Sequence, residues 1–203
     1  MLIDNCLQNS EEWFRARAGI PTASCFDKIL TPVTLKPSKS ATNYMYQLAG
    51  ERLAGCKTET YSNSVMQRGI ELEAEARELF EMVYDVEVEQ VGLVYPDKKK
   101  LYSCSPDGLV NGSSGLEIKC PLIHTHVSYL LEKKLPDEYI LQVQGGMMIT
   151  GFDKWNFMSY YPGLPPLIIE VQADGKIINA IKSELKDFCG KLDEVTDKLK
   201  GFN

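Results

Sequence analysis

The sequence predicts an α/β fold in which helices flank a strand-rich middle, and three patterns support this. Apolar residues recur at helical spacing in residues 70–83, which predicts an amphipathic helix. Turn residues separate short alternating segments in residues 101–121, which is typical of a β-hairpin. A second helical stripe of apolar residues runs through residues 177–200. Helices therefore precede and follow the strands along the chain.

Length and composition fit one domain. The chain has 203 residues, of which 44% are hydrophobic, and this is enough to form one core. We expect a single domain over 1–203, with a helical region at 1–83, a sheet at 86–173 and a C-terminal helix at 177–200. No apolar run approaches the roughly 20 residues that span a bilayer, and the N-terminus lacks the pattern of a signal peptide. A cytoplasmic protein without a membrane partner is therefore expected.

The cysteines and the net charge exclude few classes of function. The six cysteines show no Cys-x-x-Cys spacing, which argues against a zinc or iron–sulfur site and fits reduced thiols. The formal net charge of -6 does not favour a nucleic-acid partner. An acidic chain still binds DNA where its positive charge is concentrated on one surface. Small basic clusters that are also typical of solvated faces occur at Arg15 and Arg17, Lys36 and Lys39, 98–100, and Lys133 and Lys134.

Helices are predicted in the N-terminal region from their start and stop signals. Ser10 begins the first helix, Thr22 is a suitable N-cap for a second helix that runs to Leu30, and Ser40 caps a third over residues 41–54. Residues 58–64 form a polar linker.

The start of the second helix is also a candidate anion site. A helix N-terminus beside Arg17 and the hydroxyls of Thr22 and Ser24 suits a bound phosphate. Simple capping by the same hydroxyls is the alternative, and the residues alone favour it.

The helix at 70–83 carries one acidic residue of interest. Glu73 lies four residues before Arg77, and the simplest interpretation is an ordinary salt bridge within the helix. The other acidic residues of this helix are expected to be surface charges, namely Glu71, Glu75 and Glu78.

Further strands and one core helix follow from alternation and turn signals. The predicted strands are residues 86–95, 101–105, 154–161 and 167–171, and the core helix is 139–148. Asp174-Gly175 predicts another chain reversal.

The hairpin at 101–121 carries the chemistry. Side chains two apart on a strand share a face, so Glu117 and Lys119 project together while Ile118 enters the core. If Asp107 ends the preceding strand, the reversal brings its carboxylate beside that of Glu117. Two adjacent carboxylates repel each other unless a divalent cation lies between them. Magnesium suits such oxygen ligands, and the backbone carbonyl of Ile118 is a further candidate ligand.

Lys119 completes this candidate site. An ammonium near a metal and a phosphate positions an attacking water or helps to deprotonate it. A surface hairpin with a solvated Glu and Lys is the alternative, and it is the commoner meaning of an isolated Glu-x-Lys.

Longer sequence motifs around these residues favour a catalytic site over a solvated surface hairpin. Pro106-Asp107 and Glu117-Ile118-Lys119 resemble the PD-(D/E)xK nuclease core. Cys-Ser-Pro-Asp-Gly-Leu at 104–109 and Gly-Leu-Glu-Ile-Lys-Cys-Pro at 115–121 are similar to the strings of the phage lambda exonuclease and YqaJ-type viral recombinase family. The resemblance implies a mixed central β-sheet flanked by helices.

The resemblance also implies roles for residues outside the hairpin. The string from Arg68 to Arg77 resembles the family's first-helix motif, which makes Glu73 an accessory acidic residue that binds a metal or water. The Gln-x-Gln helix of the family places its first glutamine in the site, which implies a catalytic role for Gln142.

Two DNA-binding roles follow from the same family. The string Arg-x-Gly-Ile-Pro-Thr-Ala-Ser matches residues 17–24, so Arg17 and Ser24 are expected to bind the terminal 5'-phosphate of DNA, and Ser105 is assigned to the same group. Met66 matches the apolar wedge that separates the terminal base pairs, although a docked loop is the alternative.

The implied function is a magnesium-dependent 5'-to-3' exonuclease that acts on linear double-stranded DNA. Two Mg2+ ions are expected, and Mn2+ is an expected substitute. The 3' overhangs would serve recombination by a phage single-strand annealing protein, in the cytoplasm of a bacterial host, and the resemblance implies a ring-shaped homotrimer. A restriction-type endonuclease with the same core and an inactive DNA-binding scaffold are the competing interpretations. The complete set of Asp107, Glu117 and Lys119 argues against the scaffold.

Overall fold

The fold is built from seven strands and six α-helices in the residues that the computed structural model describes, which are 1–56 and 64–202, with the backbone alone for 64–66. The strands are β1 Leu2–Asp4, β2 Val88–Glu89, β3 Leu93–Tyr95, β4 Gly108–Val110, β5 Ser114–Lys119, β6 Lys154–Ser159 and β7 Leu167–Gln172. The helices are α1 Glu11–Arg17, α2 Ala41–Ala54, α3 Ser64–Tyr84, α4 Ile123–Glu132, α5 Ile140–Thr150 and α6 Gly175–Lys200. Short 3-10 helices occupy Ala23–Lys28 and Asp137–Tyr139.

The main sheet has the strand order β2-β4-β5-β6-β7. Among the described strands of this sheet, β5 and β6 run parallel and the other neighbouring pairs are antiparallel. A parallel pair requires a crossover connection, which here contains α4 and α5. The central strands β5 and β6 are buried along almost their whole length. These features confirm the predicted α/β fold with a mixed central sheet flanked by helices.

The helices predicted at 41–54 and 177–200 and the one that Ser10 begins are present, although the Ser40 side chain makes no capping hydrogen bond at the start of α2. Ser10 caps α1, because its hydroxyl accepts a hydrogen bond from the Trp13 N–H at 3.2 Å. The apolar stripe of α6 packs against α2, with the rings of Tyr44 and Phe188 stacked at 5.8 Å between centroids. Helix α3 extends beyond the predicted residues 70–83 at both ends. Of the expected linker at 58–64, residues 58–63 lie outside the described part of the chain, and Ser64 is the first residue of α3.

The predicted strand at 86–95 is wrong as a single element. It divides into β2, in the main sheet, and β3, which pairs with β1 in a separate two-stranded sheet. Gly92 lies at the division, and a Cβ atom there would come within 2.1 Å of the Cys6 carbonyl oxygen. The close approach of the N-terminal segment therefore separates the two strands, and local alternation carries no sign of it.

Three other local predictions need correction. Residues 101–105, all of which are described, form isolated bridges instead of a strand, between Ser103 and Thr22 and between Cys104 and Val94. The second helix is the short 3-10 helix Ala23–Lys28, and the Thr22 hydroxyl accepts from Arg17 at 3.2 Å instead of capping it. Asp174 is the N-cap of α6, because its Oδ1 accepts from the N–H groups of Lys176 and Ile177, so Asp174-Gly175 starts a helix where a turn was predicted.

Among the described residues, no helix is both long enough and apolar enough to cross a bilayer.

Candidate active site

Asp107 occupies the position immediately before β4. Its N–H donates to the Leu116 carbonyl at 3.0 Å, and its Oδ2 accepts from the Ile118 N–H at 2.6 Å. Because Gly108 is paired with Leu116, the antiparallel register sets Asp107 opposite Glu117. The two carboxylates are thus brought together as predicted, but Asp107 starts the first arm of the hairpin and does not end a preceding strand.

Glu117 and Lys119 lie on one face of β5, as the alternation of a strand requires. The Lys119 Nζ is 2.5 Å from the Glu117 Oε1, and the Gln142 Nε2 donates to the same oxygen at 2.5 Å. The Glu117 residue is only 3% exposed, and the Ile118 side chain between them is buried in the core. The structure therefore brings together the residues that the hairpin and the Gln-x-Gln helix predicted.

Tyr139 is a member of the site that the sequence patterns missed. The Lys119 Nζ lies 5.2 Å from the centroid of its ring, at a distance where the ring face attracts a cation. The ring is stacked on Phe157 of β6 at 5.2 Å between centroids. The sequence could have indicated this role, because Tyr139 lies three residues before Gln142 and residues at that spacing share one side of a helix.

Glu73 reaches the site from α3 with Arg77 beside it. The Arg77 Nη2 is 2.6 Å from the Glu73 Oε1, so the predicted salt bridge is present. The Arg77 Nε also donates to the Asp107 carbonyl oxygen at 3.2 Å. With its amide oxygen turned towards Arg77, Gln90 accepts from Nη1 at 2.7 Å and from Nη2 at 3.0 Å. The sequence did not indicate these last two contacts.

Burial and repulsion from neighbouring carboxylates alter the ionisation of Asp107 and Glu73. Burial raises the pKa of Asp107 well above its usual range, and the neighbouring carboxylates of Glu117 and Glu73 raise it further. Burial also raises the pKa of Glu73, although Arg77 partly opposes this. The carboxylates of Asp107 and Glu73 therefore each favour a proton or a cation as a neighbour.

Lys119 keeps its proton in this environment. Burial alone lowers the pKa of its ammonium group, but the carboxylates of Glu117 and Asp107 outweigh burial and the pKa is raised. An amine with a raised pKa is a poor general base. With no metal bound, Lys119 is therefore a charged donor, which suits the positioning of a water.

The donors available to a metal are all oxygens. They are the carboxylates of Asp107, Glu117 and Glu73 and the backbone carbonyl of Ile118. In the part of the chain that the structure describes, no three His, Cys, Asp or Glu side chains form a ready metal cage. This donor set fits Mg2+, which commonly takes one or two carboxylates and completes its shell with water and substrate phosphate oxygens.

A second polar cluster surrounds Arg17. Its Nη1 donates to the Ser105 hydroxyl at 3.2 Å, and its Nη2 donates to the hydroxyls of Thr22 at 3.2 Å and Ser24 at 3.3 Å. The guanidinium lies 4.1 Å from the ring centroid of Trp13, and burial lowers its pKa. Arg17, Ser24 and Ser105 are therefore neighbours, as the terminal-phosphate hypothesis requires.

One small cavity joins the two clusters. Ser24 and Ser105 line it together with Glu117 and Gln142. A group bound by the hydroxyls around Arg17 would therefore lie next to the buried carboxylate of the hairpin.

Two other predicted residues have different outcomes. Met66 belongs to α3 by its backbone, but its side chain lies outside the described residues, so its wedge role stays a prediction. Glu75 was expected to be a simple surface charge, and this is incomplete because the Tyr160 hydroxyl donates to its carboxylate.

The sequence model of the YqaJ-like viral recombinase domain matches residues 12–153. The chain belongs to this family. The matched range of the YqaJ-like domain contains both clusters, from Arg17 to Gln142. Residues 1–11, including β1, precede it.

Solved structures agree with this assignment. The YqaJ-like chain is 34% identical to an alkaline exonuclease, LHK-Exo, from Laribacter hongkongensis, with a TM-score of 0.85 over 94% of this chain and 96% of that one. The same enzyme in complex with dAMP is matched with 35% identity and a TM-score of 0.85 over 94% and 96% of the two chains. Homology over nearly the whole of both chains makes the YqaJ-like chain a nuclease.

A more distant structure supports the fold alone. A phage-related exonuclease from Haemophilus somnus 129PT is 17% identical, with a TM-score of 0.70 over 89% of this chain and 96% of that chain. No curated protein sequence matches the chain.

Proposed function

We propose that the chain is a metal-dependent exonuclease that digests linear double-stranded DNA from 5' to 3' and leaves 3' single-stranded overhangs. The cavity shared by Ser24, Ser105, Glu117 and Gln142 carries this proposal. This cavity is lined by residues of both clusters, which supports the binding of a terminal phosphate beside the site of hydrolysis. An enzyme with this arrangement recognises a DNA end and cuts close to it.

The carboxylates are assigned to metal binding. Asp107, Glu117 and the Ile118 carbonyl would hold two Mg2+ ions together with Glu73, and Mn2+ is expected to substitute because it accepts similar oxygen ligands. When bound, the ions supply neutralising charge for the attacked phosphate and for the leaving oxygen.

The remaining residues hold the reacting groups in place. Glu73 accepts a hydrogen bond from the attacking water and so orients it. Lys119, protonated and held against Tyr139, directs its positive charge towards the nucleophile and the attacked phosphate. Gln142 fixes the Glu117 carboxylate through the 2.5 Å hydrogen bond to its Oε1.

The proposed direction of digestion rests on assigning the terminal-phosphate cluster to the 5' end. A terminal phosphate monoester carries more charge than an internal diester, so a guanidinium and several hydroxyls discriminate between them. Arg17, Ser24 and Ser105 supply such a group. The homologous enzyme in complex with dAMP, a nucleoside monophosphate, is consistent with an exonuclease product of this size.

The proposed partners and assembly are those that the family resemblance implies. Met66 would separate the terminal base pairs, and three copies of the chain would form a ring around the DNA. A phage single-strand annealing protein would use the overhangs, and the proposed location is the cytoplasm of the bacterial host.

The decisive experiment compares linear DNA with a covalently closed circle of the same sequence. Linear duplexes labelled at either the 5' or the 3' end are incubated with the protein and Mg2+, with EDTA and Asp107→Ala as controls. We expect early release of the 5' label, survival of the circle, and no cleavage in either control. Cleavage of the circle would indicate an endonuclease, and a lack of any cleavage would indicate a DNA-binding scaffold. Equal early release of both labels would refute the proposed direction.

A further inference from the structure

The backbone on both sides of the Asp107 side chain is held by residues from outside the hairpin. The Gln8 Nε2 donates to the Pro106 carbonyl oxygen at 2.9 Å, and the Arg77 Nε donates to the Asp107 carbonyl oxygen at 3.2 Å. Both carbonyls precede β4, where the antiparallel pairing with β5 begins. Carbonyl groups next to a strand end need partners from elsewhere when they are partly buried. Here one partner comes from the segment between β1 and α1 and the other from α3.

Gln8 joins two segments through one amide group. The same Nε2 donates to the Val91 carbonyl oxygen at 2.8 Å, so both of its N–H bonds have an acceptor. Val91 lies between β2 and β3, and Pro106 lies next to the proposed metal ligand. The amide therefore fixes the separation between residues 91 and 106.

The Trp13 side chain of α1 makes a second connection, next to the one that Gln8 makes between residues 91 and 106. The Trp13 Nε1 donates to the Gly92 carbonyl oxygen at 3.1 Å and to the Ser105 hydroxyl at 3.0 Å. Two bridges from the N-terminal region thus span consecutive residue pairs, 91 with 106 and 92 with 105. Ser105 belongs to the cluster around Arg17, while Asp107 belongs to the carboxylate site. These connections at residues 105 and 106 therefore lie between the two sites that the proposed reaction requires.

We infer that Gln8 is a positioning residue for the proposed hydrolysis. By holding the Pro106 carbonyl, it fixes the backbone between Ser105 and Asp107, and so the positions from which the Ser105 hydroxyl and the Asp107 carboxylate reach their two clusters. Gln8 precedes the range matched by the family model, so the N-terminal segment with β1 contributes to the active site. This inference rests on the proposed function, because it assigns Asp107 to a bound metal.

The chemistry explains why a glutamine is needed. The position requires two donors at the end of a side chain long enough to reach two carbonyls, and the Gln amide supplies both. A glutamate of the same length has acceptors only when ionised and would face two carbonyl oxygens. Shifting a ligand by a fraction of an ångström is enough to impair a metal site, since such sites depend on close geometry.

The test compares Gln8→Ala and Gln8→Glu with the wild-type chain. Mn2+ binding is measured in the absence of DNA by electron paramagnetic resonance, and Mg2+-dependent cleavage of a 5'-phosphorylated duplex is measured in parallel. Removal of a residue that orients a metal ligand typically costs about 10- to 100-fold in metal affinity or activity, so at least about tenfold weaker Mn2+ binding is expected for both variants. The half-saturating Mg2+ concentration should rise by a similar factor.

Gln144→Ala is the matched control for a structural glutamine. Its Nε2 donates to the Gln172 carbonyl oxygen at 2.9 Å and its Oε1 accepts from the Asp174 N–H at 2.9 Å, so it also joins two backbone segments, at the start of α6. This variant should melt at a lower temperature with unchanged Mn2+ affinity. Gln8 variants with the same behaviour, a lower melting temperature and normal Mn2+ affinity, would overturn the inference.

Failure of the proposed function would give different results from failure of the positioning role. If the wild-type chain binds Mn2+ weakly and cleaves equally well in EDTA, the metal assignment of Asp107 is wrong whatever the Gln8 variants do. If the wild-type chain is metal-dependent and the Gln8 variants match it in affinity and rate, only the positioning role is refuted.

Discussion

Lys119 and Glu117 form an ion pair of 2.5 Å on the same face of β5. The ammonium thus neutralises the carboxylate that the proposed metal would bind. Because the pKa of Lys119 is raised by Glu117 and Asp107 despite burial, this charge is present throughout the neutral range. A divalent cation that binds Glu117 must therefore share or displace the interaction with Lys119.

The first prediction concerns this competition. Lys119→Met should bind Mn2+ more tightly than the wild-type chain in the absence of DNA, because one positive charge is removed from the carboxylates. The same variant should lose at least about a hundredfold in cleavage rate, in keeping with the loss of a positioned charged donor. Calorimetric titration of Mn2+ and single-turnover cleavage provide the two values. Weaker Mn2+ binding would show instead that Lys119 holds the carboxylates in their binding arrangement.

The second prediction concerns pH and the stability of the metal-free chain. Burial raises the pKa of Asp107 in the folded state above its unfolded value of about 3.9. The folded state then binds the proton more tightly than the unfolded state, so this group contributes stability at low pH that is lost as the pH rises through the folded pKa. Asp107→Asn should therefore raise the melting temperature in EDTA at pH 8, and the gain should shrink as the pH falls towards 4.

Asp187→Asn is the control for this experiment. Asp187 is an exposed residue of α6, and its replacement removes the same charge with little expected change in melting temperature. Thermal unfolding in EDTA between pH 4 and pH 8 gives the comparison. A melting temperature of Asp107→Asn below that of the wild-type chain at pH 8 would show that the carboxylate stabilises the fold through Ile118 more than burial destabilises it.

The contrast between Lys119 and Gln8 shows what the sequence could and could not predict. The shared face of Glu117 and Lys119 follows from the two-residue period of a strand, so their contact was predictable from three adjacent letters. Gln8 and Pro106 are 98 residues apart, and no local pattern links them. The split of residues 86–95 has the same origin, because it depends on the approach of the N-terminal segment to Gly92. Local periodicity predicts elements and faces, whereas these bridges depend on the tertiary arrangement.

The third prediction concerns Arg77, which contacts both Glu73 and the Asp107 carbonyl. A lysine keeps the charge but cannot donate from a planar fork to several acceptors. Arg77→Lys should therefore raise the half-saturating Mg2+ concentration and lower the rate, together by about 10- to 100-fold. Arg52→Lys is the control, since the Arg52 guanidinium also donates to two acceptors. These are the Gly19 carbonyl and the Asp193 carboxylate of α6. Equal metal dependence in the two variants would contradict a specific role for Arg77.

The last prediction concerns the terminal phosphate. Arg17 lies among the hydroxyls of Ser24, Ser105 and Thr22, so the preference for a 5'-phosphate over a 5'-hydroxyl end should depend on its charge. Hydrogen bonds to charged groups contribute about 1.5–3 kcal/mol, which corresponds to roughly 10- to 150-fold in rate or affinity. Arg17→Ala should remove a preference of this size. Arg15→Ala is the matched control, because Arg15 is exposed on the same helix.

Initial digestion rates on paired duplexes that differ only in the 5' group give the preference of each variant. Circular dichroism of Arg17→Ala is needed as well, because the guanidinium also packs on Trp13. Ser24→Ala and Ser105→Ala should lower the preference by smaller factors, since each removes a neutral hydroxyl and leaves the guanidinium in place. If Arg17→Ala folds normally and still prefers the phosphorylated end by the wild-type factor, the end of the DNA is recognised by other residues, and the cavity beside Glu117 does not determine the direction of digestion.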